Sequence, residues 1–154
     1  MADFPVVIFR LGQAEYAVTL DQVQEIINVS EIARVPHAPP YVLGVLNLRG
    51  RILPVIDLKK RLNLGRTEIG ESSRIVVAKV DDVVVGLLVD FVLETTSLRE
   101  SDVESAVVGL GAARGREFIQ GIVKYQERLL TLLDLGKVLE RSSEQEKDAA
   151  RQAG

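Results

Sequence analysis

Residues 41–62, YVLGVLNLRGRILPVIDLKKRL, align without a gap on residues 118–139, FIQGIVKYQERLLTLLDLGKVL. Gly44 falls on Gly121 and Asp57 on Asp134, and both pairs lie 77 positions apart (121 − 44 and 134 − 57). Each copy holds two short aliphatic runs around a polar turn, then an Asp-Leu that can open a short helix. A looser echo sets TLDQVQEI (residues 19–26) against LVDFVLET (residues 88–95). Glycine and aspartate punctuation repeated at one offset implies two similar strand-strand-helix units, hence two small β-barrel-like subdomains packed side by side.

The rest of the chain supports a mainly β reading. Valine- and isoleucine-rich runs recur as VVIFRL, YAVTL, RIVVAKV and VVVGLLV, separated by glycine, proline or acidic residues. Runs of this length and composition suit strands buried on one or both faces. Asp81 and Asp82 sit between two valine-rich runs, as a hairpin turn would. In NLRGRIL, Gly50 is expected at the first central position of a two-residue turn, which puts Arg49 and Arg51 at an exposed tip. Helical signals are short: Asp57 to Gly65 reads as a capped turn of helix, and a second helix starting at Asp134 is expected to run on into the tail. Glycine-rich residues 105–117 read as a loop, and residues 141–154 as a polar helical or disordered tail. Residues 1–140 are expected to form a single domain of two subdomains.

Composition narrows the function. The chain has 154 residues, 47% of them apolar and only 5% aromatic, with no tryptophan, so its core is aliphatic. A formal charge of −3 offers no clustered positive field for nucleic acid or an anionic membrane surface. Absence of cysteine removes disulfides, thiolate metal sites and cysteine nucleophiles. No basic, apolar leader opens the sequence and no run of about 18 apolar residues occurs, so a cytoplasmic protein without membrane insertion is expected.

The chemistry-bearing residues point the same way. The one histidine, His37, lies in VPHAPP, an extended or turning loop, and has no cysteine or spaced second histidine to share a metal with. No serine stands in a nucleophile-elbow pattern, and GLGAARGRE has neither Walker nor dinucleotide-loop spacing. We therefore expect no catalytic residue, no cofactor and no metal, and not an enzyme.

A protein-docking surface remains. Strand alternation places Leu46 and Leu48 on one face, with Val45, Asn47 and Arg49 on the other. Val23, Ile26, Ile27 and Val29 obey no single period, so part of this aliphatic set is expected outside the core. Where the first copy has Arg49-Gly50, the second has Gln126-Glu127. That pair is therefore not required by the shared architecture and belongs to a task of the first copy alone.

At these residues the sequence resembles the CheW family of bacterial chemotaxis adaptors. The resemblance rests on VQEI at residues 23–26, on PPYVLGVLNLRGRILPVIDL at residues 39–58, on GLLVD at residues 86–90 and on FIQGIV and LLTLLDL near the end. It implies two five-stranded SH3-like barrels with short helices. It also implies a scaffold without catalysis, coupling the cytoplasmic tips of methyl-accepting chemoreceptors to the regulatory domain of the histidine kinase CheA; an adaptor of a surface-motility or other chemosensory pathway is the alternative. Carried over position by position, Glu25 and Arg49 match the family's polar pair near the receptor and kinase surfaces, and Val23 and Gly44 match positions tied to kinase contact. With their neighbours Ile27, Asn47 and Gly50 they form the candidate protein-binding set.

Overall fold

The computed structural model describes residues 3–104 and 116–140. The tail at 141–154 and all but the last two residues of the expected 105–117 loop lie outside the described residues; Arg116–Phe118 form a 3-10 turn. In chain order the strands are β1 (Asp3–Leu11), β2 (Ala14–Thr19), β3 (Val23–Asn28), β4 (Val42–Leu48), β5 (Arg51–Asp57), β6 (Arg74–Val80), β7 (Val83–Val89), β8 (Phe91–Arg99), β9 (Val103–Glu104), β10 (Ile119–Tyr125) and β11 (Arg128–Leu133). Two one-turn helices, α1 (Leu58–Arg61) and α2 (Leu135–Val138), follow β5 and β11.

The strands sort into two sheets, ordered β8-β1-β2-β11-β10-β9 and β3-β6-β7-β5-β4. Each closes on itself through the segment at its edge. In the first sheet β8 pairs with β1, turns through Glu100–Asp102, and returns as β9 to pair with β10 on the opposite edge. In the second, β3 pairs with β6, and the chain beyond it reaches β4, where Ala33 and Val45 exchange two backbone hydrogen bonds of 2.8 Å. The sheet built from both chain ends is called the terminal barrel here, and the sheet from β3–β7 the central barrel.

The repeat is real but permuted. β4-β5 correspond to β10-β11 at the offset of 77, whereas β3 corresponds to β8, and β6-β7 to β1-β2, at an offset of 69 (92 − 23 and 78 − 9). The registers agree with this assignment. Val23 pairs with Ala78 as Val92 pairs with Phe9, and a bulge follows at once in both strands. The parallel contacts Val55 with Gly86 and Leu132 with Ala17 also correspond. The two copies are thus not the two halves of the sequence, because the central barrel is inserted within the strands of the terminal one.

Why so many strands lack alternation follows from three cores. Val6, Ile8, Ala17, Leu98, Val123, Leu130 and Leu132 fill the terminal barrel. Leu46, Leu53, Val55, Ile75, Val77 and Leu88 fill the central one. Between the barrels lies a shared core that includes Val7, Phe9, Val18, Tyr41, Ile56, Val76, Leu87, Phe118 and Leu135. β1 and β6 therefore bury both faces and read as unbroken apolar runs. β3 and β8 went unrecognised as strands in the sequence, because the bulge breaks their period and their solvent face carries Gln24, Asn28, Thr95 and Ser97.

The helices are shorter than the sequence suggested: α1 ends at Arg61, and Asn63 takes the left-handed conformation ahead of Gly65. Asp134 caps α2 by accepting from the Lys137 amide at 3.2 Å. Asp57 does not cap α1. Its buried carboxylate instead accepts from the Thr67 hydroxyl (2.7 Å) and amide (3.0 Å), tying the loop after α1 to the end of β5. A buried carboxylate that loses a donor keeps its desolvation cost. Thr67→Val is expected to lower stability by about 2 kcal/mol and Thr67→Ser to restore most of it; equal urea midpoints for Thr67→Val and the wild type would refute the role.

Candidate docking site

The hairpin β4-β5 builds the tip. Leu48 pairs with Arg51, so Arg49 and Gly50 are the two central turn residues, with φ of 51° and 85°. Both lie in the left-handed region, the requirement of a type I′ turn. Gly50 therefore occupies the second central position, not the first, and Arg49 itself adopts the conformation that side-chain-bearing residues seldom take. Asn47 secures the turn by accepting the Gly50 amide on Oδ1 at 2.8 Å. The equivalent turn carries Gln126 (φ 50°) and Glu127 (φ 64°), so the backbone device is shared and the arginine is not.

From this tip Arg49 reaches β3 and pairs through Nη2 with Oε2 of Glu25. The bulge after Val23 sets the direction of Glu25. The hydrogen bond that Arg49 donates to Glu25, and then the Coulomb attraction of that carboxylate, raise the Arg49 pKa above its ordinary value, so the guanidinium stays charged. The pair is solvent-facing, and such pairs orient a partner more than they hold it.

Beside the pair opens a groove of about 320 Å³, lined by Gln24, Glu25, Leu48, Arg49, Arg51, Ile52, Leu53 and Val84. It is the mouth of the central barrel. Ile52 at its rim is 69% exposed. Of the sequence-derived set, Glu25, Asn47, Arg49 and Gly50 come together here. Val23 and Ile27 are half-buried, Val23 against the shared core and Ile27 against the interior of the central barrel. Gly44 is buried in β4, where a Cβ would fall on the Ala33 carbonyl oxygen.

Sequence reasoning missed Ile52 and Val84, and it placed Arg51 at the exposed tip without including it in the docking set. The alternation of β5 carried the signal for Ile52, since it faces opposite to Leu53 and Val55. Val84 gave none, being one valine in an apolar run. Among the described residues no group of three or more His, Asp or Glu side chains is placed to hold a metal, and no helix is long and apolar enough to cross a membrane.

Comparison with known proteins agrees with this architecture. Residues 5–143 match the family model described as the CheW-like domain. The chain is 40% identical over 139 residues to the chemotaxis protein CheW of Bacillus subtilis (strain 168), covering 90% of this chain and 88% of that protein. It is 36% identical over 132 residues to the chemotaxis protein CheW of Rhizobium meliloti (strain 1021), covering 86% and 84%. The crystal structure of the scaffolding protein TtCheW from Thermoanaerobacter tengcongensis superposes with a TM-score of 0.82 at 29% identity, covering 92% of this chain and 91% of that one.

Proposed function

The chain belongs to the CheW-like domain family, and from that premise we propose that it is a cytoplasmic chemotaxis adaptor, a scaffold without catalysis that couples the tips of transmembrane chemoreceptors to the histidine kinase CheA. The observation that carries the reading is the mouth of the central barrel. There an exposed Ile52 stands beside an arginine-glutamate pair on a type I′ hairpin. Aliphatic anchors with charged orienters on strands, rather than on a mobile loop, suit recognition of a preformed partner surface.

The experiment is co-sedimentation with receptor signalling fragments and CheA, scored by whether kinase activity becomes receptor-dependent. Arg49→Glu places two carboxylates together at the mouth and is expected to weaken binding to at least one of the two partners about tenfold or more. Its melting temperature should match the wild type, because the pair faces solvent. Unchanged affinity for both partners in a folded Arg49→Glu protein would remove the pair from the interface. No sedimentation of the wild type with either partner would reject the adaptor assignment itself.

A further inference from the structure

The two barrels correspond residue by residue at this mouth. At the offset of 77, Leu48, Arg51 and Ile52 match Tyr125, Arg128 and Leu129; at 69, Glu25, Ile27 and Val84 match Glu94, Thr96 and Glu15. In the terminal barrel these positions form a plug. Tyr125 packs on the barrel interior, with its hydroxyl 2.8 Å from Thr96 Oγ1 and 3.4 Å from Glu94 Oε1. Arg128 lies 5.5 Å from the Tyr125 ring centroid and pairs with Glu15 at 3.5 Å and Glu94 at 3.3 Å.

In the central barrel the plug is missing. Leucine replaces the phenol, valine replaces Glu15, isoleucine replaces Thr96, and the groove occupies the mouth. What the plug leaves behind is still in place: the carboxylate of Glu25 at the Glu94 position and the guanidinium of Arg51 at the Arg128 position. Leu48, Leu53 and Val84 supply an apolar floor.

We propose that this mouth is a socket for a tyrosine side chain of the docked partner, which supplies in trans the ring that Tyr125 supplies in cis. The ring lies on the aliphatic floor, Arg51 covers its face as Arg128 covers Tyr125, and the hydroxyl donates to Glu25 as Tyr125 donates to Glu94. An aliphatic side chain fills the floor but makes neither polar contact. The inference rests on reading the mouth as a docking site and names the anchor that it takes.

The test needs no receptor or kinase, so its failure is distinct from failure of the adaptor assignment. ¹⁵N-labelled protein is titrated with N-acetyl-tyrosinamide and, separately, with N-acetyl-leucinamide. Saturable shifts are expected at Ile52 and Val84 with the tyrosine amide, and binding of the leucine amide should be weaker by about tenfold. Leu48→Tyr/Val84→Glu transplants the plug and should abolish the response. Ile52→Glu, at an exposed rim position where folding is not at stake, should weaken it several-fold. Absence of saturable shifts at the mouth, equal binding of the two amides, or an undiminished response in a folded plugged or Ile52→Glu protein would overturn the socket.

Discussion

Replacing Gly44 by alanine is expected to lower unfolding stability by about 3 kcal/mol, the upper end for forcing extra atoms into a packed site, and the melting temperature by roughly 10 °C. A Cβ at Gly44 would fall on the Ala33 carbonyl oxygen and lie 2.8 Å from Ile32 Cγ2 and 2.9 Å from the Ala33 carbonyl carbon. Two of those atoms are backbone, so no rotamer change can make room. The segment that must move is the one that closes the central barrel, and shifting it breaks both Ala33–Val45 hydrogen bonds. Gly121 occupies the matching place, where a Cβ would meet Val103 Cγ1 at 2.6 Å and the Glu104 carbonyl oxygen at 2.8 Å. A side chain can yield partly, so Gly121→Ala should cost less, about 2 kcal/mol. Urea denaturation of the pair, with the ordering Gly44→Ala below Gly121→Ala below wild type, checks the argument. A Gly44→Ala cost under about 1 kcal/mol would show that the closing segment is not held there.

This bears on the candidate docking set. Gly44 has no side chain to offer a partner and is buried, so weaker binding by a Gly44 variant has to be judged against its melting temperature. Arg49, which faces solvent, allows binding and folding to be separated.

The hairpins that carry Gly44 and Gly121 were legible because sterics enforce their punctuation. Each glycine lets a closing segment approach, and each Asp-Leu turns the chain back after the last strand. The offset of 77 was therefore visible, as was the weaker echo at Glu25 and Glu94. The permutation was not. It depends on which hairpin lies beside which, and β1-β2 join the terminal barrel through contacts with β8 and β11 that are distant in sequence. Nor could the sequence show that Asp57 would leave its helix for Thr67, ten residues on. At the mouth, charge and turn residues declared themselves, whereas the groove is assembled from β3, β4, β5 and β7. That it stands open where the twin barrel is filled emerges only when the two barrels are matched strand by strand.

Arg61 makes the same point at the junction of the barrels and supports the second large effect. In Lys59-Lys60-Arg61 nothing in the sequence singles out the third cation, yet Arg61 is 7% exposed. Its guanidinium lies 4.3 Å from the ring centroid of Tyr41 and 4.7 Å from that of Phe118. Those rings are themselves twins: the Tyr41 carbonyl accepts from Asp57 and the Phe118 carbonyl from Asp134, each at 2.8 Å. Arg61 Nε donates to the Val138 carbonyl at 2.7 Å and Nη2 donates to the Glu140 carbonyl, so a side chain from α1 of the central barrel satisfies the chain end of α2 in the terminal one. A cation on two ring faces with a charge-assisted bond to each carbonyl joins the barrels through terms of about 1–3 kcal/mol each, which are not additive. Arg61→Ala is expected to cost about 4 kcal/mol, since it removes these terms and leaves carbonyls without their donor. Arg61→Lys should still cost about 2 kcal/mol, because an ammonium lacks the planar fork that stacks and donates at once. Arg61→Met keeps much of the stem volume and removes every donor, so a similar loss of about 2 kcal/mol assigns the effect to the fork. Arg61→Met within about 0.5 kcal/mol of the wild type in urea denaturation would mean that the stem's packing, rather than the guanidinium, holds the barrels together.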